Sequence, residues 1–203
     1  MGYVISILAG YLLGSSSMAY YISRYQKKDI RTGGSGNLGA SNATVLLGWK
    51  AGIAVALHDI GKAAIAVILA QTWFPGLEYA GAVAGVAAVI GHIFPFYLNF
   101  KGGKGLASFW GMTLALNWKL GLAAALVIFL ATVITDFISI GAFSAMALVP
   151  VGFLLMTRDA SLALIIAVAS LVMLLRHREN VGRLIRKEEI GLRSTIRGEK
   201  RMK

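Results

Sequence analysis

Hydrophobic positions in this chain run in long unbroken blocks, not at a helical or alternating period. A helix crosses a bilayer with roughly 20 apolar residues, the range being about 17 to 25. Blocks near that size lie at 3–22, 51–70, 79–98, 120–135, 138–156 and 160–175. A shorter apolar stretch at 105–117 carries Gly105, Ser108 and Gly111, and reads as a short tilted helix or a re-entrant element. The predicted fold is an all-α integral membrane protein of about seven transmembrane helices, one of them short, in a single domain over 1–203. The first block has no basic residue before it and no small-residue cleavage site after it. It is therefore read as a span and not as a leader.

Polar positions gather between the blocks. Cytoplasmic segments carry the excess of lysine and arginine. Arg24, Lys27, Lys28, Arg31 and Lys50 fall within 24–50, and from Arg176 onward ten basic residues stand against four acidic ones, while 71–78 has no basic residue. This pattern predicts a cytoplasmic location for 23–50, for the loop near 99–105 and for the tail, with the N-terminus outside. Such an arrangement needs an odd number of spans: seven with 105–117 counted, or five if two later helices form a re-entrant hairpin. Arg158 and Asp159 then fall on the outer side.

Composition supports the membrane class. The chain is 57% hydrophobic and 14% charged, whereas a soluble domain carries about a quarter of its residues as charges. There is no cysteine, which excludes disulfides and a thiol nucleophile. The net charge of +11 fits positive-inside topology and attraction to anionic lipid, and it equally fits recruitment of anionic substrates. No nucleic-acid motif accompanies it. No metal cluster is present in the sequence pattern, and no cofactor is expected.

Two glycine-rich segments interrupt the blocks. Gly34, Ser35, Gly36, Asn37 and Gly39 match G-x-G-x-x-G, but the pattern follows a membrane helix and not a strand, so a dinucleotide fold is rejected. Glycine still allows close approach of backbone N–H groups to an anion, and Ser35, Asn37, Ser41 and Asn42 add hydrogen-bond partners. The plain alternative is a flexible connector. Lys101-Gly102-Gly103-Lys104-Gly105 is not a nucleotide P-loop, which would need glycine at Leu98 and a hydroxyl at Gly105. What remains is a set of amides and a lysine just before a helix start, an arrangement suited to phosphate. A positive-inside anchor is the alternative.

Charge within or beside a membrane span usually serves function. His92 lies near the cytoplasmic end of the third block, on the same membrane face as Lys101, and is the candidate for proton chemistry; it also fits a packed side chain. Asp59 and Lys62, three apart, form a buried ion pair or orient a catalytic polar network. Arg176, His177, Arg178 and Asn180 end the last block, where arginine can grip phosphate in two-pronged fashion or serve as a basic stop.

Taken together, GSGNLGASN at 34–42, GHIFPFYLNFKGGKGLAS at 91–108 and RHREN at 176–180 resemble the bacterial acyl-phosphate-dependent glycerol-3-phosphate acyltransferases of PlsY type, in that family's order and spacing. The DIGKA stretch at 59–63 is similar to the family's Asp-x-x-Lys-Gly. The resemblance implies transfer of an acyl group from acyl phosphate, drawn from the bilayer, to the 1-hydroxyl of cytosolic glycerol 3-phosphate. Lysophosphatidic acid and inorganic phosphate would be the products. It places the active site on the cytoplasmic side of the bacterial inner membrane, in segments 31–50, 91–108 and 176–203. Two departures are Val45, where the family often has arginine, and Ala63, where it has glycine.

On this reading His92, Ser35, Lys104 and Asn180 are catalytic. Gly34, Gly36, Asn37, Ser41, Asn42, Gly102, Gly103, Gly105, Arg176, His177, Asp59 and Lys62 bind or orient substrate. The hydroxyl proton goes either to His92 or to the substrate's own phosphate. The arrangement of His with Asp five positions on is absent, since Ala63, Tyr97 and Gly182 follow His58, His92 and His177 at that distance. A membrane transporter of an organic phosphate is the alternative from another class.

Overall fold

The computed structural model describes residues 1–189 and 191–193. Ile190 and the end of the basic tail, from 194 onward, lie outside the described residues. The chain divides into two compact units, Met1–Trp118 and the remainder from Lys119.

The first unit begins with α1 (Gly2–Ser15) and α2 (Met18–Tyr25), which together form one hydrophobic span. The break between them follows from three consecutive serines, whose side chains compete for backbone groups. Ser15 Oγ donates to the Tyr11 carbonyl at 2.8 Å, and Ser17 Oγ accepts from Tyr20 N at 3.3 Å as the N-cap of α2. After a 3-10 turn at Ile30–Thr32 come α3 (Ala40–Leu47) and the long α4 (Trp49–Trp73). The sequence reading did not place α3. Next are α5 (Ala80–Ile93), a second 3-10 turn at Phe96–Leu98, and α6 (Leu106–Leu116).

Small residues set the packing in this unit. Cβ atoms added at Gly10 and Gly14 of α1 would run into the carbonyls of Ala84 and Ala88 on α5, and one at Gly91 into the Tyr11 carbonyl. A Cβ at Gly111 of α6 would meet the Ile60 carbonyl of α4. In lipid, helices associate through such close backbone approach because the hydrophobic effect does not distinguish a neighbouring helix from an acyl chain. A Cβ at Gly85 of α5 would meet Val67 and Met112. A Cβ at Gly48 would meet nothing within 4 Å, and this glycine ends α3 with φ +95°.

The third block was expected to run helically over 79–98. Helix α5 stops at Ile93. Pro95 lacks an N–H and would collide with the carbonyl of Gly91, so the helix cannot continue through it. The chain turns through Asn99 and Phe100, both left-handed at φ 52° and 57°, and comes back to the helix end.

The second unit holds α7 (Trp118–Thr135), α8 (Ile138–Thr157), α9 (Ala160–Arg176) and α10 (Arg178–Ile185). Asp159 caps α9, with Oδ1 accepting from Ser161 N and Leu162 N at 2.9 and 3.0 Å. Helices α9 and α10 meet at a bend of 52°. Among the described residues five helical spans are long and apolar enough to cross a membrane, and α9 with α10 would make a sixth. Helix α6 has 11 residues, about 17 Å at 1.5 Å per residue, roughly half the hydrocarbon thickness.

Gly14→Ala is expected to force α1 away from α5. Overpacking of this kind costs about 1–3 kcal/mol, so the thermal midpoint in detergent should fall. A midpoint equal to that of the unaltered protein contradicts the close approach.

Candidate active site

The glycine-rich segment at 33–42 is organised by Asn42, on the first turn of α3. Its Nδ2 donates to the carbonyls of Ile30 at 2.9 Å and Asn37 at 3.0 Å, and its Oδ1 accepts from Ser35 N at 3.0 Å. Gly34 sits in the left-handed region at φ +58°, and a Cβ there would strike Asn42 Oδ1. This corrects the expectation for Asn42: its amide holds the loop, and the side chain is buried. Ser35, Gly34, Gly36 and Ser41 are exposed. The Ser35 hydroxyl has no hydrogen-bond partner among the described residues, so it can serve a ligand. Asn37 Oδ1 is buried and likewise without a partner.

Two cations near this loop are engaged. Lys28 Nζ donates to the Leu46 carbonyl at the end of α3, and Arg31 pairs with Asp29 at 2.7 Å. That side-chain hydrogen bond from Arg31 pulls the Asp29 carboxyl down to about 2. Val45 is exposed on α3.

The second glycine segment behaves differently from expectation. Gly102 N donates to the Ile93 carbonyl at 3.0 Å and Gly103 N to the His92 carbonyl at 3.1 Å. The last carbonyls of a helix lack intrahelical partners, and this loop supplies them. These two amides are therefore committed to α5 and do not form a cradle for phosphate. The glycines are required because a Cβ at Gly102 would hit the His92 carbonyl and one at Gly103 the His92 ring. Lys104 follows, half-buried, and Gly105 with φ +96° is the N-cap of α6. Lys104 is thus beside a helix N-terminus, as expected. Its neighbourhood to His92 comes from the loop folding back and not from a shared helix face.

Asp59, Lys62 and His92 form one buried cluster. Lys62 Nζ lies 2.7 Å from Asp59 Oδ1, 2.7 Å from the Ser16 carbonyl and 3.0 Å from His92 Nδ1. Asp59 Oδ1 is 3.3 Å from His92 Nδ1 and 3.5 Å from His58 Nδ1. His58 Nε2 is 3.0 Å from Ser16 Oγ, and Ser16 Oγ is 3.4 Å from the Tyr21 hydroxyl. The break after α1 exposes the Ser16 carbonyl that the lysine uses. Sequence reasoning paired Asp59 with Lys62 but missed Ser16 and His58; the run of serines inside an apolar block was the available signal.

The second unit carries its own polar group. His177 is buried, with Nδ1 2.8 Å from the Met173 carbonyl and its ring edge-on to Phe143. Asn180 is also buried and its Nδ2 donates to Glu189 Oε1, while Arg183 Nε holds Glu189 Oε2 at 2.7 Å. Glu189 was not singled out from the sequence; it lies among exposed charges in the chain and only the fold buries it. Arg176 is the last residue of α9.

The helices and the buried charged cluster define an all-α integral membrane protein whose polar chemistry is built from glycine loops and helix ends. A family model described as glycerol-3-phosphate acyltransferase matches residues 4–187. Similar proteins called glycerol-3-phosphate acyltransferase occur in Prochlorococcus marinus strain MIT 9215, 38% identical over 92% of this chain and 95% of that protein, and in Shouchella clausii, 39% identical over 90% and 92%. The crystal structure of PlsY (YgiH), an integral membrane glycerol 3-phosphate acyltransferase, in its glycerol 3-phosphate form superposes with a TM-score of 0.91 at 28% identity, covering 98% of this chain and all of that one. Its lysophosphatidic acid form gives 0.87. This chain belongs to the glycerol-3-phosphate acyltransferase family.

Asn42→Ala removes the staple of the 33–42 loop and leaves the Ser35 N–H and two carbonyls unpaired. Each such orphan costs about 1–3 kcal/mol when buried. Limited proteolysis within this segment should accelerate; an unchanged cleavage rate would show that another contact holds it.

Proposed function

We propose that this protein transfers an acyl group from acyl phosphate to the 1-hydroxyl of glycerol 3-phosphate, the first acylation of phospholipid synthesis. The hydroxyl oxygen bonds to the acyl carbon, the carbon–oxygen bond to phosphate breaks, and the hydroxyl proton passes to a phosphate oxygen of the substrates or to His92. Lysophosphatidic acid and inorganic phosphate leave. The donor is already activated, so no enzyme nucleophile is needed. The protein's task is to position two anions, offset their repulsion and stabilise the oxyanion.

The observation that carries this reading is the Lys104 loop seated on His92 at the end of α5, in a member of the glycerol-3-phosphate acyltransferase family. Lys104 and the start of α6 would meet a phosphate, and Ser35 with Asn37 would add neutral donors. Ser41, Gly34, Gly36 and Gly105 would shape the approach of the backbone. The family resemblance assigns Arg176, His177 and Asn180 to substrate as well. The hydrophobic donor enters from the bilayer and the small acceptor from the cytosol, which favours a site at the cytoplasmic face of the bacterial inner membrane. The basic segments support that orientation, with the N-terminus outside and seven spans if α6 counts as one.

Purified protein in lipid should release phosphate from acyl phosphate only when glycerol 3-phosphate is added, and acyl-CoA should not replace the donor. Equal rates with acyl-CoA would refute the donor assignment, and uptake of glycerol 3-phosphate into liposomes without a donor would favour a transporter. Lys104→Ala should lower turnover by about 10²-fold or more, the scale for losing one transition-state donor, with the folded state intact.

A further inference from the structure

Lys62 and Asp59 determine what the His92 ring can do, a point that deepens the acyl-transfer reading and rests on it only for the identity of the substrate. A lysine ammonium has three N–H donors and no acceptor. Three acceptors surround Lys62 Nζ: Asp59 Oδ1 and the Ser16 carbonyl, each at 2.7 Å, and His92 Nδ1 at 3.0 Å. The third bond exists only when Nδ1 presents its lone pair. Asp59 Oδ1 approaches the same nitrogen, at the longer distance of 3.3 Å. That contact would need a proton on Nδ1, which would then face the ammonium. The two arrangements exclude each other, and the shorter one uses every donor of Lys62.

A neutral imidazole carries one N–H, so with Nδ1 accepting the proton sits on Nε2. Nε2 faces Gly103, where a Cβ would collide with it. It has no hydrogen-bond partner among the described residues. The next residue is Lys104. His177 is set the other way: its Nδ1 faces the Met173 carbonyl, which can only accept, so that nitrogen carries the proton.

We propose that Lys62, backed by Asp59, locks His92 as the Nε2–H tautomer, so that the ring meets a substrate oxygen at the glycine loop as a hydrogen-bond donor. Lys62 is then a positioning residue. The donor is fixed before substrate arrives and points where negative charge accumulates during acyl transfer, the condition under which a hydrogen bond accelerates a reaction.

Nitrogen-15 NMR of histidine-labelled protein in lipid nanodiscs tests the tautomer without any substrate, with His92→Gln identifying the signal. The expected spectrum has a protonated Nε2 and a bare Nδ1 at His92. Lys62→Met should move the proton to Nδ1, facing Asp59, and Lys62→Arg should keep the original tautomer. A wild-type spectrum with the proton on Nδ1 overturns the proposal, and this comparison holds even if Lys62→Met does not fold. In the phosphate-release assay His92→Gln, which keeps an N–H at that end, should retain turnover within about tenfold, while His92→Leu should lose about 10²-fold or more. Equal losses in the two variants overturn the donor role. Wild-type protein inactive with acyl phosphate and glycerol 3-phosphate would instead sink the acyl-transfer reading and leave the tautomer to be decided by the spectra.

Discussion

The Lys62 ammonium is the point on which the first unit depends. It ties the break between α1 and α2, the middle of α4 and the end of α5 into one cluster through Ser16, Asp59 and His92. Burying either charge alone would be prohibitive, and removing one partner of such a pair commonly costs about 3–5 kcal/mol. One ammonium group therefore joins the break after α1 to α4 and α5. The interrupted first span is part of this design, because a continuous helix would have used the Ser16 carbonyl for its own ladder.

Glycine makes the cluster geometrically possible. Gly10, Gly14 and Gly91 bring α1 against α5, and Gly111 brings α6 against α4. Gly102 and Gly103 then let the returning loop cap the carbonyls of His92 and Ile93. The loop thus gives up two amides to the helix and delivers Lys104 to its place. The first glycine segment follows the same logic, with Asn42 using its whole amide to fix the shape that leaves Ser35 exposed. In both segments part of what resembled a ligand cradle is scaffold, and the outward-facing remainder is available for chemistry.

The ordering of polar groups in the second unit shows a related economy. His177 and Asn180 are buried by contacts to Met173, Phe143 and Glu189. The acidic partner lies beyond α10 in the chain and returns to Asn180 across the short helix. A charged residue surrounded by other charges in sequence gives no periodic signal that it will be buried.

The hydrophobic blocks by themselves determined the membrane class, a short element at 105–117 and the positions of most spans, because bilayer thickness imposes a length on any apolar helix. The residue types at 34–42, 91–108 and 176–180 pointed to anion chemistry and to the family. Spacing also paired Asp59 with Lys62, which are adjacent on one helix face. Only the tertiary structure decided that α5 ends at Ile93, that Gly102 and Gly103 bond to its carbonyls, that Asn42 is a staple, and that Ser16 joins the charged cluster. Each of these is a contact between residues far apart in the chain, set by which backbone surfaces can approach. A one-dimensional pattern records the composition of such surfaces and not their meeting.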